Sequence, residues 1–381
     1  MNFEFSEDQK FVQQTARNYL AEHSGLDVCR AVLESDRPYA AELWKGVAEM
    51  GWLGAAVPEE YGGAGLGMLE LVLIAQEVGR ALAPIPFASS VYLATEALRL
   101  FGSEEQKRAH LPRLCAGERI GTFALAEGTA DLDPAEMKAQ FDGRRLRGEK
   151  LPVLDGDVAG LAVVLAREGA GHSLALVDLD GEGVARTPLA SFDPSRSQAR
   201  VAFEGAPAER LGPAGQGAAL AERLLDRAAV MLGFEQIGGA ERALEITREF
   251  TLGRYAFGRP VASFQALKHR MADVYAKNQI ALSHGYYAAW ALSHDNDELP
   301  LAACGVRVAA SDAFTRAGEE MVQMHGGVGF TWEYDCHLFY RRARSLAHAL
   351  GTPNEWREKL VARLEQAGFA AGKGSRELAS E

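Results

Sequence analysis

The sequence predicts an α+β protein with an N-terminal helical domain, a middle antiparallel β-barrel or sandwich domain and a C-terminal helical bundle. Three observations carry this prediction. Apolar residues recur at helical spacing from the start to about residue 115. Short apolar runs separated by Asp-Gly and other glycine-rich turns replace that pattern between about 119 and 210. Long helical patterns return from about 215 onward. The corresponding domain boundaries are 1–118, 119–212 and 213–381.

The first helix opens at Ser6, whose hydroxyl suits an N-cap, with Glu7 and Asp8 in the favourable first turn. Phe11, Val12, Thr15 and Tyr19 form its apolar stripe. The stretch from Gly51 to Gly67 reads as a helix stop and a glycine-rich loop. An apolar helix resumes over Leu69–Ala83 and breaks at Ala83-Pro-Ile-Pro-Phe87. The strands are expected at Gly121–Ala126, Leu161–Ala166, Ser173–Val177 and Ala199–Phe203. No regular helix separates them, and no G-x-G-x-x-G follows a strand, which argues against a nicotinamide-binding sheet. Four later helices are expected at Leu220–Thr251, Gln265–His294, Pro300–Met324 and Asn354–Ala367.

Composition narrows the function classes. Forty basic residues stand against 52 acidic ones, a net charge of -12, which disfavours a nucleic-acid surface. Cys29, Cys115, Cys304 and Cys336 are far apart and form no CxxC, so no zinc or dithiol site is expected. Few scattered cysteines and an acidic N-terminus suit a cytoplasmic protein, and no uncharged run is long enough to span a bilayer.

Two clusters carry chemistry. The segment Arg254-Tyr-Ala-Phe-Gly-Arg-Pro-Val-Ala-Ser-Phe-Gln265 combines a planar cation, two phenyl rings and an amide around a tight turn. Arg254 suits a diphosphate, Phe257 and Phe264 offer faces to a flat ring, and Gln265 both donates and accepts. The second cluster is Gln323-Met-His-Gly-Gly-Val-Gly-Phe330, where Gly326 and Gly327 permit close backbone approach. Together they point to nucleotide binding.

These motifs, with Val57-Pro-Glu-Glu-Tyr-Gly-Gly63, resemble the acyl-CoA dehydrogenase family over essentially the whole chain. The resemblance implies FAD as cofactor and α,β-dehydrogenation of an acyl-CoA thioester, with an electron-transfer flavoprotein as acceptor. It implies that Arg254 binds pyrophosphate, that Phe257 packs on the flavin or adenine, and that Gln323 with the Gly326–Gly327 backbone holds the adenosine end. It also implies a tetramer in which these motifs reach a neighbour's FAD. That tetramer is either a homotetramer or an α2β2 heterotetramer with a related subunit.

The sequence departs from the family at three places. The family's Tyr-Glu-Gly-Thr base segment falls on Ala349-Leu-Gly-Thr352, and the alternative base position falls on Ala228. The flavin loop of the middle domain is shortened to Ala126-Glu-Gly-Thr-Ala-Asp131, with Pro152 and Leu154 in place of flanking Trp and Thr residues. One candidate base remains: Glu235, the only charge from Ala228 to Ala240 and two helical turns past Ala228. An isolated carboxyl in an apolar helix either finds a cation or is held toward neutrality, as a proton acceptor for a weak carbon acid requires. The residues thus leave two readings, a dehydrogenase subunit using Glu235 and a partner subunit that completes an FAD site without a base. His325, His348 and the pair Lys268-His269 are read as non-catalytic, and Trp332 as packed beneath the glycine loop.

Overall fold

The computed structural model describes residues 5–128 and 134–368. The chain divides into two compact units, Ser6–Ala228 and Ala229–Glu381 together with Met1–Phe5.

In the first unit the helices are α1 (Glu7–His23), α2 (Leu26–Leu33), α3 (Ala41–Glu49), α4 (Met68–Arg80), α5 (Glu96–Phe101) and α6 (Glu104–Cys115). Ser6 caps α1 as expected. Its hydroxyl accepts from the Gln9 amide while the Gln9 side chain accepts from the Ser6 amide. A π-helical segment, Ala88–Thr95, follows the proline break and runs into α5.

The strands are β1 (Gly121–Ala124), β2 (Gln140–Phe141), β3 (Arg145–Leu154), β4 (Leu161–Glu168), β5 (Gly171–Asp178), β6 (Val184–Pro188) and β7 (Gln198–Leu211). Pairings run from β4 to β5, β7, β3, β2 and back to β4, so the sheet closes into a barrel. The expectation of an antiparallel domain is met for most pairs, but β1 and β2 both run parallel to β4. Both β1 and most of β4 are buried, so neither shows the polar and apolar alternation of a half-exposed hairpin strand.

Helices and barrel belong to one unit because the π-helical segment is joined to β1 and to the turn after β3. The Ser90 hydroxyl accepts from the Gly121 amide at 3.1 Å, and the Ser89 hydroxyl donates to Asp155 Oδ2 at 2.6 Å. A Cβ at Gly121 would stand 2.4 Å from Ala94 Cβ, so only glycine allows this approach.

Helix α7 (Gly217–Gly253) leads into the second unit. There follow a two-stranded hairpin, β8 (Tyr255–Ala256) and β9 (Arg259–Pro260), and then α8 (Gln265–His294), α9 (Leu299–His325), α10 (Cys336–His348) and α11 (Pro353–Gln366). The expected later helices are all present within a few residues of their expected ends. Helix α10 was not among them: its arginines, Arg341, Arg342 and Arg344, mask an amphipathic helix whose buried side is Leu338, Phe339, Ala343 and Leu346. Small residues let α7, α8 and α9 approach closely, as where Gly239 lies under the Phe314 ring. Among the described residues no helix is long and apolar enough to cross a membrane.

Candidate functional site: an exposed aromatic and cationic face

The two sequence clusters converge on one end of the helical unit. Phe250, in the last turn of α7, stacks on His325 at the end of α9 with ring centroids 4.1 Å apart. His325 is buried and hydrogen-bonds through Nδ1 to the Met321 carbonyl at 2.7 Å. Burial pushes its imidazole down, which keeps the ring neutral and stacked near pH 7. Tyr334 adds an edge contact to Phe250. The Arg254 hairpin and the Gly326–Phe330 turn are thereby carried by a shared aromatic cluster.

The cofactor candidates themselves face outward. Arg254, Phe257, Gln265, Gln323, Gly326 and Gly327 are all exposed, and Phe264 is half-buried. Phe257 is 93% exposed, and its backbone sits at φ +52. Its neighbour Phe264 meets it edge-on at 6.2 Å and lies under the Arg259 guanidinium at 4.0 Å. Phe330 is 89% exposed. A Cβ at Gly326 or Gly327 would meet nothing within 4 Å, so the backbone there borders open space. A non-glycine residue in the left-handed region that holds a phenyl ring in water is a costly local arrangement, of the kind found at binding sites.

The middle-domain side of the predicted flavin site is bound up within its own unit. The Ala126 carbonyl accepts from the Leu151 amide at 2.9 Å. Glu127 accepts from the Lys138 and Ala139 amides and from the fully buried Lys150 ammonium at 2.8 Å. Burial pushes Lys150 down to about 8, partly offset by Glu127. Burial raises Glu127, but Lys150 and the two amides outweigh it and hold the carboxyl low. Thr129, Ala130 and Asp131 of this loop lie outside the described residues. Pro152 is exposed, and the Leu154 carbonyl accepts from Thr122 Oγ1.

Residue models of the acyl-CoA dehydrogenase N-terminal and C-terminal domains match residues 6–118 and 215–364. The acyl-CoA dehydrogenase IpdE2 of Mycobacterium tuberculosis is 33% identical over 350 residues, covering 92% of this chain and 95% of that protein. This chain belongs to the acyl-CoA dehydrogenase family. It is thus a member of a family of FAD-dependent oxidoreductases. Among solved structures, the ChsE4–ChsE5 complex from Mycobacterium tuberculosis is similar at 29% identity and a TM-score of 0.88, covering 96% of this chain and 99% of that one. The Tcur3481–Tcur3483 steroid acyl-CoA dehydrogenase is similar at 30% identity and a TM-score of 0.87, with the same coverage.

The exposed face fits FAD in chemistry. It offers a guanidinium at Arg254, aromatic faces at Phe257 and Phe264, amides at Gln265 and Gln323, and an open backbone at Gly326–Gly327. The two positions at which the sequence resemblance expects the base are apolar and buried, with Leu350 8% exposed and Ala228 fully covered. Glu235 is fully buried, and its charge lies near enough to Arg307 to favour the guanidinium's charged form. Trp332 corrects an expectation. It is not packed beneath the loop but stands half-exposed, stacked on His337 at 4.4 Å with Arg341 over its ring. Among the described residues no group of His, Cys, Asp and Glu could hold a metal ion.

Sequence reasoning missed the Lys150–Glu127 and Arg307 networks. For Arg307 the signal was available. It is the only charge in Ala302-Ala-Cys-Gly-Val-Arg-Val-Ala-Ala310, the same pattern that singled out Glu235.

Proposed function

We propose that this chain is the interface-completing subunit of an α2β2 acyl-CoA dehydrogenase that oxidises bulky acyl-CoA thioesters. The observation that carries this reading is the contrast within the chain. The Arg254–Gln265 and Gln323–Gly327 face stands open in solvent, while both base positions hold buried apolar residues. FAD, when bound, supplies a hydride acceptor for the Cα–Cβ bond. In this reading Arg254 binds the diphosphate, Phe257 and Phe264 cover the ring system and exclude water, and Gln323 with the Gly326–Gly327 amides orients the adenosine end. The proton acceptor comes from the related subunit. Similarity to two solved complexes, one of them described as a steroid acyl-CoA dehydrogenase, supports both the heteromer and the bulky substrate. An electron-transfer flavoprotein is the proposed acceptor and the cytoplasm the proposed location.

A homotetramer using Glu235 as base is the competing reading, favoured by the full burial of Glu235, the only charge from Ala228 to Ala240. Expression of the chain alone and with a related subunit that keeps the base separates the two. The heteromer reading expects flavin absorbance and acyl-CoA-dependent flavin reduction only on co-expression. A yellow, active homo-oligomer would overturn it.

A further inference from the structure

Arg307 lies midway along α9 and is 1% exposed. Its guanidinium donates to Gln236 Oε1 at 2.6 Å, Ser311 Oγ at 3.1 Å, the Leu346 carbonyl at 2.6 Å and the Ala347 carbonyl at 3.1 Å. The last two belong to the final turn of α10, where a helix end favours a cation, and the Leu346 carbonyl also accepts from the Ala349 amide at 3.3 Å. Gln236 is itself held by the Ser311 hydroxyl through its Nε2, at 3.2 Å. Burial pushes the Arg307 guanidinium down, and the Glu235 charge opposes that push. Glu235 and Gln236 are adjacent on α7, so one turn of α7 supplies both the counter-charge and a hydrogen-bond acceptor.

The chain then turns at once into α11. Trp356 Nε1 donates to the Leu350 carbonyl at 3.0 Å, Gly351 takes φ +100, and the Thr352 hydroxyl caps α11 by accepting from the Glu355 amide at 3.2 Å. The turn is therefore fixed on its far side by Trp356 and Thr352. On its near side, the Arg307 fork holds the end of α10.

We propose that Arg307 is the positioning residue for the α10–α11 turn, Ala349–Thr352, which it ties to Gln236 of α7. Nη2 donates to both carbonyls while Nη1 donates to Gln236 and Ser311, so one planar guanidinium ties the end of α10 to α7 in a fixed orientation, which a lysine ammonium cannot reproduce. Removing the Glu235 charge takes away the support it gives the buried Arg307 cation and loosens the same contacts. The structural part of this inference stands on the chain itself. That Glu235 is not the base rests on the reading of the assembled enzyme given above.

Hydrogen exchange of the full chain, followed by mass spectrometry, tests the clamp in Glu235→Gln, Arg307→Lys and Arg307→Met. Exchange of the peptide covering 346–352 is expected to rise by about tenfold or more in all three, with α8 peptides unchanged. If Arg307→Met fails to fold, Arg307→Lys and Glu235→Gln decide. Unchanged exchange at 346–352 in the folded arginine variants would overturn the clamp. Steady-state kinetics of the assembled enzyme test the base. A positioning role predicts that Glu235→Gln shifts KM together with kcat and that Glu235→Asp restores both. A loss of about 10²–10⁴ in kcat alone, with exchange unchanged, would make Glu235 the base. Exchange is read on the protein itself, so a failed heteromer would leave the clamp test intact.

Discussion

Replacing Phe257 with alanine separates a residue that serves its own chain from one that serves a neighbour. The ring is 93% exposed, so within the chain it loses only the edge contact to Phe264. Such a pair contributes about 0.5–1.5 kcal/mol when packed, and a pair this exposed belongs at the lower end. The φ of +52 adds no penalty for alanine that phenylalanine does not already carry. The melting transition of the isolated chain should therefore barely move. In the proposed assembly the same ring would be covered, and covering a phenyl contributes about 1.5–3 kcal/mol. Flavin affinity of the assembled protein should fall roughly 10- to 150-fold. The assay pairs a thermal melt of the chain alone with flavin titration of the apo-assembly. A large stability loss in the isolated chain, or unchanged flavin affinity in the assembly, would refute the reasoning.

Leu350→Glu places a carboxyl at the turn where the base is lacking. It should raise acyl-CoA-dependent flavin reduction by about 10²–10⁴ in assemblies that lack a base, read by stopped-flow absorbance, while lowering the chain's stability because the site is buried. Glu96, buried between Arg99 and Arg227, should cost about 3–5 kcal/mol as Glu96→Gln in urea unfolding, because two buried or half-buried cations each lose a charged partner. Burial raises the Glu96 carboxyl, but the two arginines outweigh it and hold it below the ordinary value of 4.5. A depressed acid stabilises the fold above its unfolded value. The gap between wild type and Glu96→Gln should thus be constant above pH 4.5 and shrink as the pH falls below it.

Much of the fold was legible because the helical spacing of apolar residues gives way to short apolar runs separated by Asp-Gly and glycine-rich turns and then returns, and that change tracks the order of helices, barrel and helices. The closing of the barrel was not. Gly121–Ala124 and Leu161–Ala166 are both short uncharged runs, and nothing in such runs tells a parallel neighbour from an antiparallel one. Helix α10 was hidden because Arg341, Arg342 and Arg344 interrupt its apolar residues in a linear reading, although Arg342 is itself buried. At the site, the Arg254 and Gln323 clusters were legible as chemistry. Their convergence depends on the Phe250–His325 stack, which joins residues 75 positions apart (325 less 250). Glu235 was legible as a lone charge but not as a neighbour of Arg307, because the partner sits on a different helix.

The most direct measurement is the flavin content of purified protein, compared between the chain alone and its complex with a base-bearing related subunit. An interface-completing subunit predicts colourless protein alone and a complex holding half as many flavins as chains. Stoichiometric flavin in the chain alone, reduced by acyl-CoA, would contradict it.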